Sequence, residues 1–247
     1  MISASMPTIT LYTSHSCPYA HRAHITLKEL DIPYEEVLID LEKPREPWYL
    51  EKVNPRGLIP ALEYQSDEIG KVVIVESAII AQFLADAHPS HLSPVSNEGI
   101  KAAYTRSRIN YFIDTYNTKV ASYMMQLFMA QGDAKEEKSK QWVAAWEKEI
   151  EPLLEGADPF FMGSKEMTMA EVHVAPFIIR LYSLSNGDIF PVSLKEGIEK
   201  LPNISKWAKA VMAKESVTYI WDEEYMVRKG KEKITQIAAS IQAKQAK

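Results

Sequence analysis

Cysteine is almost absent from this chain of 247 residues: Cys17 stands alone. It cannot close an internal disulfide, and a cross-linked framework is excluded. The expectation is a reducing compartment, most simply the cytoplasm. Long apolar runs are lacking as well, so no segment is expected to cross or anchor in a membrane. The first residues lack the basic start and apolar run of a secretory signal. Positive charge is in deficit, 28 Lys and Arg against 33 Asp and Glu for a net charge of -5, which argues against a nucleic-acid partner. No long Asn- or Gln-rich stretch and no tandem repeat is present. What remains, 46% hydrophobic and 25% charged, is the composition of a folded protein with a sizeable core.

The lone cysteine sits in an informative place. A short apolar stretch, Ile9-Thr10-Leu11-Tyr12, runs into His15-Ser16-Cys17-Pro18-Tyr19-Ala20-His21-Arg22, and a helix-compatible stretch from Ala20 to Leu30 runs out of it. Proline directly after the cysteine suits the first helical position, where its missing N–H costs nothing. Cys17 is then expected at a helix N-terminus, among free backbone N–H groups and the positive end of the helix dipole. Thiols in such places are reactive, and this one must take any bonding partner from outside the chain.

The chain divides at His88-Pro89-Ser90-His91-Leu92-Ser93-Pro94. Before it, strands (Ile9 to Thr13, Tyr34 to Leu41, Pro60 to Tyr64, Lys71 to Val75) alternate with helices (Ala20 to Leu30, Ser77 to Ala87). That order predicts a small mixed sheet with helices packed on it. After it, strand signals almost vanish. Helices are expected at Ile100 to Ala130, Lys138 to Leu154, Ala170 to Leu184, Ile204 to Ala213 and Val217 to Gln242. The expected units are therefore residues 1–88, a linker 89–94, and an all-helical region 95–247.

Two further segments carry chemistry. In Asn54-Pro55-Arg56-Gly57-Leu58-Ile59-Pro60-Ala61-Leu62, Pro60 opens an apolar strand, where an ordinary proline would remove a ladder bond. A cis Ile59–Pro60 bond would turn the Ile59 backbone outward to pair with an extended peptide. A plain trans proline at a strand start is the simpler alternative. Glu76-Ser77 opens a helix. A serine hydroxyl with its backbone N–H can hold a carboxylate there, and Glu76 can accept from an ammonium. As an isolated pair, the two are more simply an N-cap and a favourable charge.

Together, in this order, the Cys-Pro, Xaa-Pro and Glu-Ser starts resemble the thioredoxin-fold domain of glutathione transferases. Ser16-Cys17-Pro18-Tyr19-Ala20-His21-Arg22, Lys52 to Pro60 and Glu76-Ser77-Ala78-Ile79 are most similar to the omega-type, cysteine-dependent branch, fungal relatives included. Thr168-Met169-Ala170-Glu171 matches that family's helix capping box, with Glu in place of Asp. The resemblance covers essentially the whole chain. It implies an α/β thioredoxin-like N-terminal domain followed by an all-α domain, glutathione as co-substrate, no metal, and a homodimer.

Carried over residue by residue, the resemblance implies that Cys17 is catalytic and contacts the glutathione sulfur, with Tyr19 beside it. Ile59, next to Pro60, would pair with the cysteinyl backbone, and Glu76 and Ser77 would hold the γ-glutamyl end. Lys43 and Arg45 are both candidates for the glycyl carboxylate. Phe177, Arg180 and Trp221 would line the second-substrate pocket. The implied activity is glutathione-dependent thiol transfer, dehydroascorbate reduction or deglutathionylation, with a small electrophilic or oxidised second substrate. A serine-type conjugating transferase using Ser14 or Ser16, including sulfur transfer in fungal secondary metabolism, is the alternative, as is a non-catalytic binding protein. His21 and His24 have helical metal-ligand spacing without a carboxylate-rich partner set, so packed or solvent-facing histidines are expected. Met124, Met125, Phe128 and Met129 read first as core, and as a surface for varied ligands second.

Overall fold

The structure is a computed structural model describing residues 6–245. β1 (Thr8–Thr13), α1 (Pro18–Glu29) and β2 (Glu35–Leu38) form a βαβ unit, and α2 (Pro47–Lys52) follows. β3 (Ala61–Ser66), β4 (Gly70–Val75) and α3 (Ser77–Ala87) complete the first region. The sheet order is β2-β1-β3-β4. β1 runs parallel to β2, with Thr13 opposite Leu38, and antiparallel to β3, with Tyr12 opposite Ala61. Ile9, Leu11, Leu62 and Tyr64 pack with Ala23, Leu27, Ile80 and Leu84 of α1 and α3, which buries one face of the sheet. Alternation along the strands therefore aims one side of β1 and β3 at the helices.

The second region is helical: α4 (Ile100–Thr115), α5 (Ser122–Met129), α6 (Ala134–Glu149), α7 (Met169–Leu184), α8 (Val192–Glu199), α9 (Pro202–Met212), α10 (Glu215–Thr218) and α11 (Glu223–Gln245). Trp142, Trp146, Trp207, Phe112 and Tyr116 are its largest fully buried side chains. α7 is the axis, buried along most of its length, and it contacts α1 as well as α4, α9 and α11. Its start is the expected capping box. Thr168 Oγ1 accepts the Ala170 N–H at 3.1 Å, and Glu171 Oε2 accepts the Thr168 N–H at 2.8 Å. Glu171 is fully buried and also accepts from Phe161 N and Trp207 Nε1, which satisfies its charge inside the core.

Several boundaries differ from the sequence expectation. The single helix expected over Ile100 to Ala130 is divided by a π turn at Tyr116–Val120. The extra residue in that turn sets Asn117 against Arg22, at 3.3 Å. The helix expected over Val217 to Gln242 stops at Thr218 and restarts at Glu223. Asp222 Oδ1 accepts the Tyr225 N–H at 2.9 Å and so begins a new helix, while Tyr219 turns in toward His24. β2 is only four residues long, and α2 and α8 are helices that periodicity alone did not mark. Ile234 and Ile237 of α11 pack against the body.

Candidate active site

Cys17 is the N-cap of α1, in extended conformation, with Pro18 at the first helical position. Its Sγ accepts the Ala20 N–H at 3.5 Å, and its own N–H donates to Ser14 O at 3.0 Å. The sulfur is partly exposed. It stands on the wall of a cavity of about 470 Å³ together with Ser16, Met124, Phe128, Arg180, Met226 and Lys233. Arg180 is buried at 4% exposure, and burial lowers its guanidinium to about 10, an effect that negative charge on Cys17 opposes. The same charge favours the cationic forms of Arg22 and Lys233, whose pKa values burial lowers. Cys17 thus sits at the N-terminus of α1 within electrostatic reach of Arg180, Arg22 and Lys233.

Arg180 is fixed in place by its own bonds. It donates to Pro176 O at 2.8 Å, to His15 O at 3.0 Å and to His21 Nδ1 at 3.1 Å. That contact sets the His21 tautomer, so Nε2–H donates to Val217 O at 3.0 Å. Trp221 stacks on His21, at 13° between ring planes, and lies beneath the Arg180 guanidinium at 5.1 Å. Burial, with Arg180 next in weight, holds His21 well below the usual imidazole range. His21 and His24 are both packed inside and point to different partners, so they do not form the helical metal pair that their spacing allows.

A smaller cavity, about 240 Å³, lies on the other side of Tyr19 and is lined by Asn54, Leu58, Ile59, Pro60, Glu76 and Ser77. The Ile59–Pro60 bond is cis. Among the described residues, the Ile59 N–H and C=O make no backbone hydrogen bond. The loop before it is clamped from behind. Tyr49 OH donates to Leu58 O at 2.7 Å, Asn54 Nδ2 donates to the same oxygen at 2.9 Å, and Asn54 Oδ1 accepts the Arg56 N–H. Glu76 has φ 72°, a strained value for a residue with a Cβ, and its carboxylate meets Arg56 at 3.3 Å. Ser77 Oγ receives Arg22 at 3.4 Å. Arg22 is 3% exposed and also donates to His173 O at 2.9 Å and Asn117 Oδ1.

Each expected site residue can now be located. Cys17 and Arg180 share the larger cavity, while Tyr19, Ile59, Pro60, Glu76 and Ser77 share the smaller one. Phe177 and Trp221 do not line the Cys17 cavity. Phe177 is buried against Tyr19, Tyr116 and the Arg22 guanidinium, and Trp221 stands behind Arg180. The cavity wall comes instead from α5 and α11, with Met124 and Phe128 both core and lining. Lys43 and Arg45 line a neighbouring cleft with Trp48 and Tyr49. Arg45 is occupied by the carbonyls of Gly57, Asp40 and Lys43, whereas Lys43 is exposed and, among the described residues, its ammonium pairs with Asp40 alone, at 3.2 Å. Sequence reasoning missed Arg22, Asn117, Tyr49 and Asn54, which support the smaller cavity from beneath. An asparagine before the Pro55 turn was the one local signal among them.

With this geometry in place, the comparisons with known proteins are decisive. The glutathione S-transferase N-terminal domain family matches residues 11–94. The chain is 28% identical over 206 residues to mouse glutathione S-transferase omega-1, covering 82% of this chain and 76% of that protein. The crystal structures of glutathione transferases Omega 1C and Omega 2C from Trametes versicolor superpose with TM-scores of 0.77 and 0.75, at 25% and 27% identity. They cover 93% and 92% of this chain, and 98% and 99% of theirs.

The first region belongs to the glutathione S-transferase N-terminal domain family, and the chain is similar over most of its length to omega-class glutathione transferases. The thioredoxin-like sheet and the helical region of this transferase are those of the glutathione transferase fold. No helix among its described residues is long and apolar enough to cross a membrane.

Proposed function

We propose that this transferase moves thiols, with Cys17 as nucleophile and glutathione as co-substrate. One observation carries the reading: the chain's single sulfur nucleophile caps α1 on the wall of a substrate-sized cavity that also holds a buried arginine. The tripeptide would lie along the smaller cavity, its cysteinyl backbone paired with the unpartnered Ile59 N–H and C=O. Glu76 and Ser77, at the N-terminus of α3, would hold the γ-glutamyl ammonium and carboxylate. Lys43 is the better partner for the glycyl carboxylate, because Arg45 is already bonded to three carbonyls.

The chemistry then balances in two displacements. The Cys17 thiolate attacks the glutathione sulfur of a mixed disulfide between substrate and glutathione. That S–S bond breaks, a Cys17–glutathione disulfide forms, and the substrate thiolate leaves and takes a proton from water. A second glutathione, as thiolate, attacks the bound glutathione sulfur and releases the Cys17 thiolate with oxidised glutathione. Glutathionylated thiols and oxidised small acceptors such as dehydroascorbate are the expected substrates, and conjugation of aryl halides is expected to be weak. A homodimer, with the sheet region of one subunit against the helices of the other, belongs to the same reading and is checked by sedimentation.

Intact mass after incubation with oxidised glutathione tests the proposal. The expected product carries one added glutathione, absent in Cys17→Ala. If thiol transfer persists in both Cys17→Ala and Cys17→Ser, the reading fails. Ser16 lines the same cavity and its Oγ lies 3.0 Å from Ser14 Oγ, so a serine-type conjugation remains a second reading. It gains ground if aryl-halide conjugation survives Cys17→Ala and is lost in Ser16→Ala.

A further inference from the structure

His15, His24 and Glu36 come together beside the site, from the β1–α1 loop, α1 and β2, with one ligand atom of each all within 4.8 Å of one another. Glu36 Oε1 lies 2.6 Å from His15 Nε2 and 3.7 Å from His24 Nε2. The two imidazole centres are 5.5 Å apart and nearly perpendicular. Two imidazoles on one tetrahedral ion place their ring centres about 5 Å apart, close to this spacing.

The surroundings of His24 prepare one nitrogen. Tyr219 OH donates to His24 O at 3.0 Å, so the proton of Tyr34, 3.0 Å away, is directed to the Tyr219 oxygen. Tyr34 OH is then left to accept from His24 Nδ1–H at 2.7 Å. Nε2 is the unprotonated nitrogen, and its lone pair meets the Thr13 hydroxyl at 2.9 Å on the side facing Glu36. A histidine whose far nitrogen is anchored to a hydroxyl or carboxylate, and whose near nitrogen is free of a proton, is the form that ligates metals. His24 is fully buried, while His15 and Glu36 keep 34% and 29% of their side chains exposed. His15 also lines a cavity of about 500 Å³ with Ser14, Ser16 and Asp222, which provides entry and room for a water ligand.

We propose that His15, His24 and Glu36 form a site for a borderline divalent cation, Zn²⁺ foremost, with an open fourth position toward the neighbouring cavity. Two imidazoles and a carboxylate form a donor set that suits Zn²⁺ over Mg²⁺ or Ca²⁺. The ion takes the His24 Nε2 lone pair in place of the Thr13 hydroxyl, and it replaces the proton shared by His15 and Glu36. It ties the loop bearing Cys17 to α1 and β2, two residues from the nucleophile. The site departs from the expectation of no metal, and the spacing of His21 and His24 pointed to the wrong partner.

Cys17 could itself draw Zn²⁺, so the test uses the untagged full chain carrying Cys17→Ala. Zn²⁺ is titrated by calorimetry, and Co²⁺ by visible absorption. The expected result is one equivalent per chain and a cobalt spectrum of low coordination number. Both are lost, or weakened by more than tenfold, on adding His15→Ala or Glu36→Gln, and Tyr34→Phe weakens binding by about 10- to 100-fold through loss of the anchor. Circular dichroism confirms folding; should His15→Ala unfold, Glu36→Gln decides. Absence of stoichiometric Zn²⁺ binding overturns the site. So does binding unchanged in a folded His15→Ala or Glu36→Gln variant, which would leave His15 and Glu36 as a plain ion pair.

Discussion

The two cavities of this transferase are built in opposite ways, although a buried arginine supports each. The smaller is lined largely by a backbone segment, Leu58 to Pro60, and by the start of α3, all held from behind by buried Asn54, Tyr49 and Arg22. The larger is lined by side chains: two methionines, Phe128, and lysines on α11 that reach solvent. Lys229 of that wall bridges Glu42 and Glu232, and Lys233 lies over the Phe128 ring at 4.6 Å. Backbone held by satisfied buried groups has little freedom to move, so it suits one constant ligand. Methionines and long, half-buried lysines whose heads reach the surface repack more readily than fixed backbone, so they suit a variable one. On the proposed function, the difference puts the constant glutathione on the sheet side and the variable substrate on the helices.

Removing the arginines is the strongest way to break this comparison. Arg22→Met strands three acceptors and is expected to cost about 3 kcal/mol, read by denaturant unfolding. It should also raise the KM for glutathione about tenfold. Arg180→Met should cost a similar amount but lower kcat for thiol transfer by about 10-fold or more, leaving the KM for glutathione nearly unchanged. If both variants shift the same parameter, the division is wrong.

Acid reaches both arginines through their histidines. Burial, with Arg22 next in weight, lowers His173 to about 3, and His21 is held low as well. Each imidazole is neutral in the folded chain and takes a proton on unfolding once the pH drops below 6.5. Stability is therefore full above 6.5 and falls toward pH 3, by about 2 kcal/mol for His173 at pH 5. Thermal unfolding across pH 7 to 5 measures it, and a His173→Gln variant should flatten the slope.

Smaller effects sharpen the contrast. Asn54→Ala removes the clamp on Leu58 O and should cost about 1–2 kcal/mol, with a severalfold rise in the KM for glutathione alone. Lys233→Met should shift the KM for the second substrate about twofold to threefold and leave the glutathione KM untouched, as steady-state kinetics with a model disulfide would read.

Much of the framework was legible from local pattern. Cys17-Pro18 was read as a helix start because proline at the first helical position is a local steric preference. The Glu76-Ser77 helix start followed from the same kind of reasoning, and the capping box at Thr168 needed only four residues, whereas local pattern at Ile59–Pro60 left cis and trans both open. Which side of α7 meets the Cys17 cavity, Arg180 or Phe177, was not legible, because the helix is buried almost all round and periodicity marks no face.

The sequence by itself therefore determined most of the elements, their order and the position of the sulfur, because caps, turns and alternating patterns depend on neighbours a few residues apart. Only the tertiary structure decided which cations stand around Cys17, why Arg45 is engaged, and that Glu36 meets His15 and His24. Those contacts join β1, α1, β2 and α7 across up to 165 positions of chain, as between His15 and Arg180. They follow from how the helices and the sheet bury their apolar faces together, which is a property of the whole core and not of any one segment.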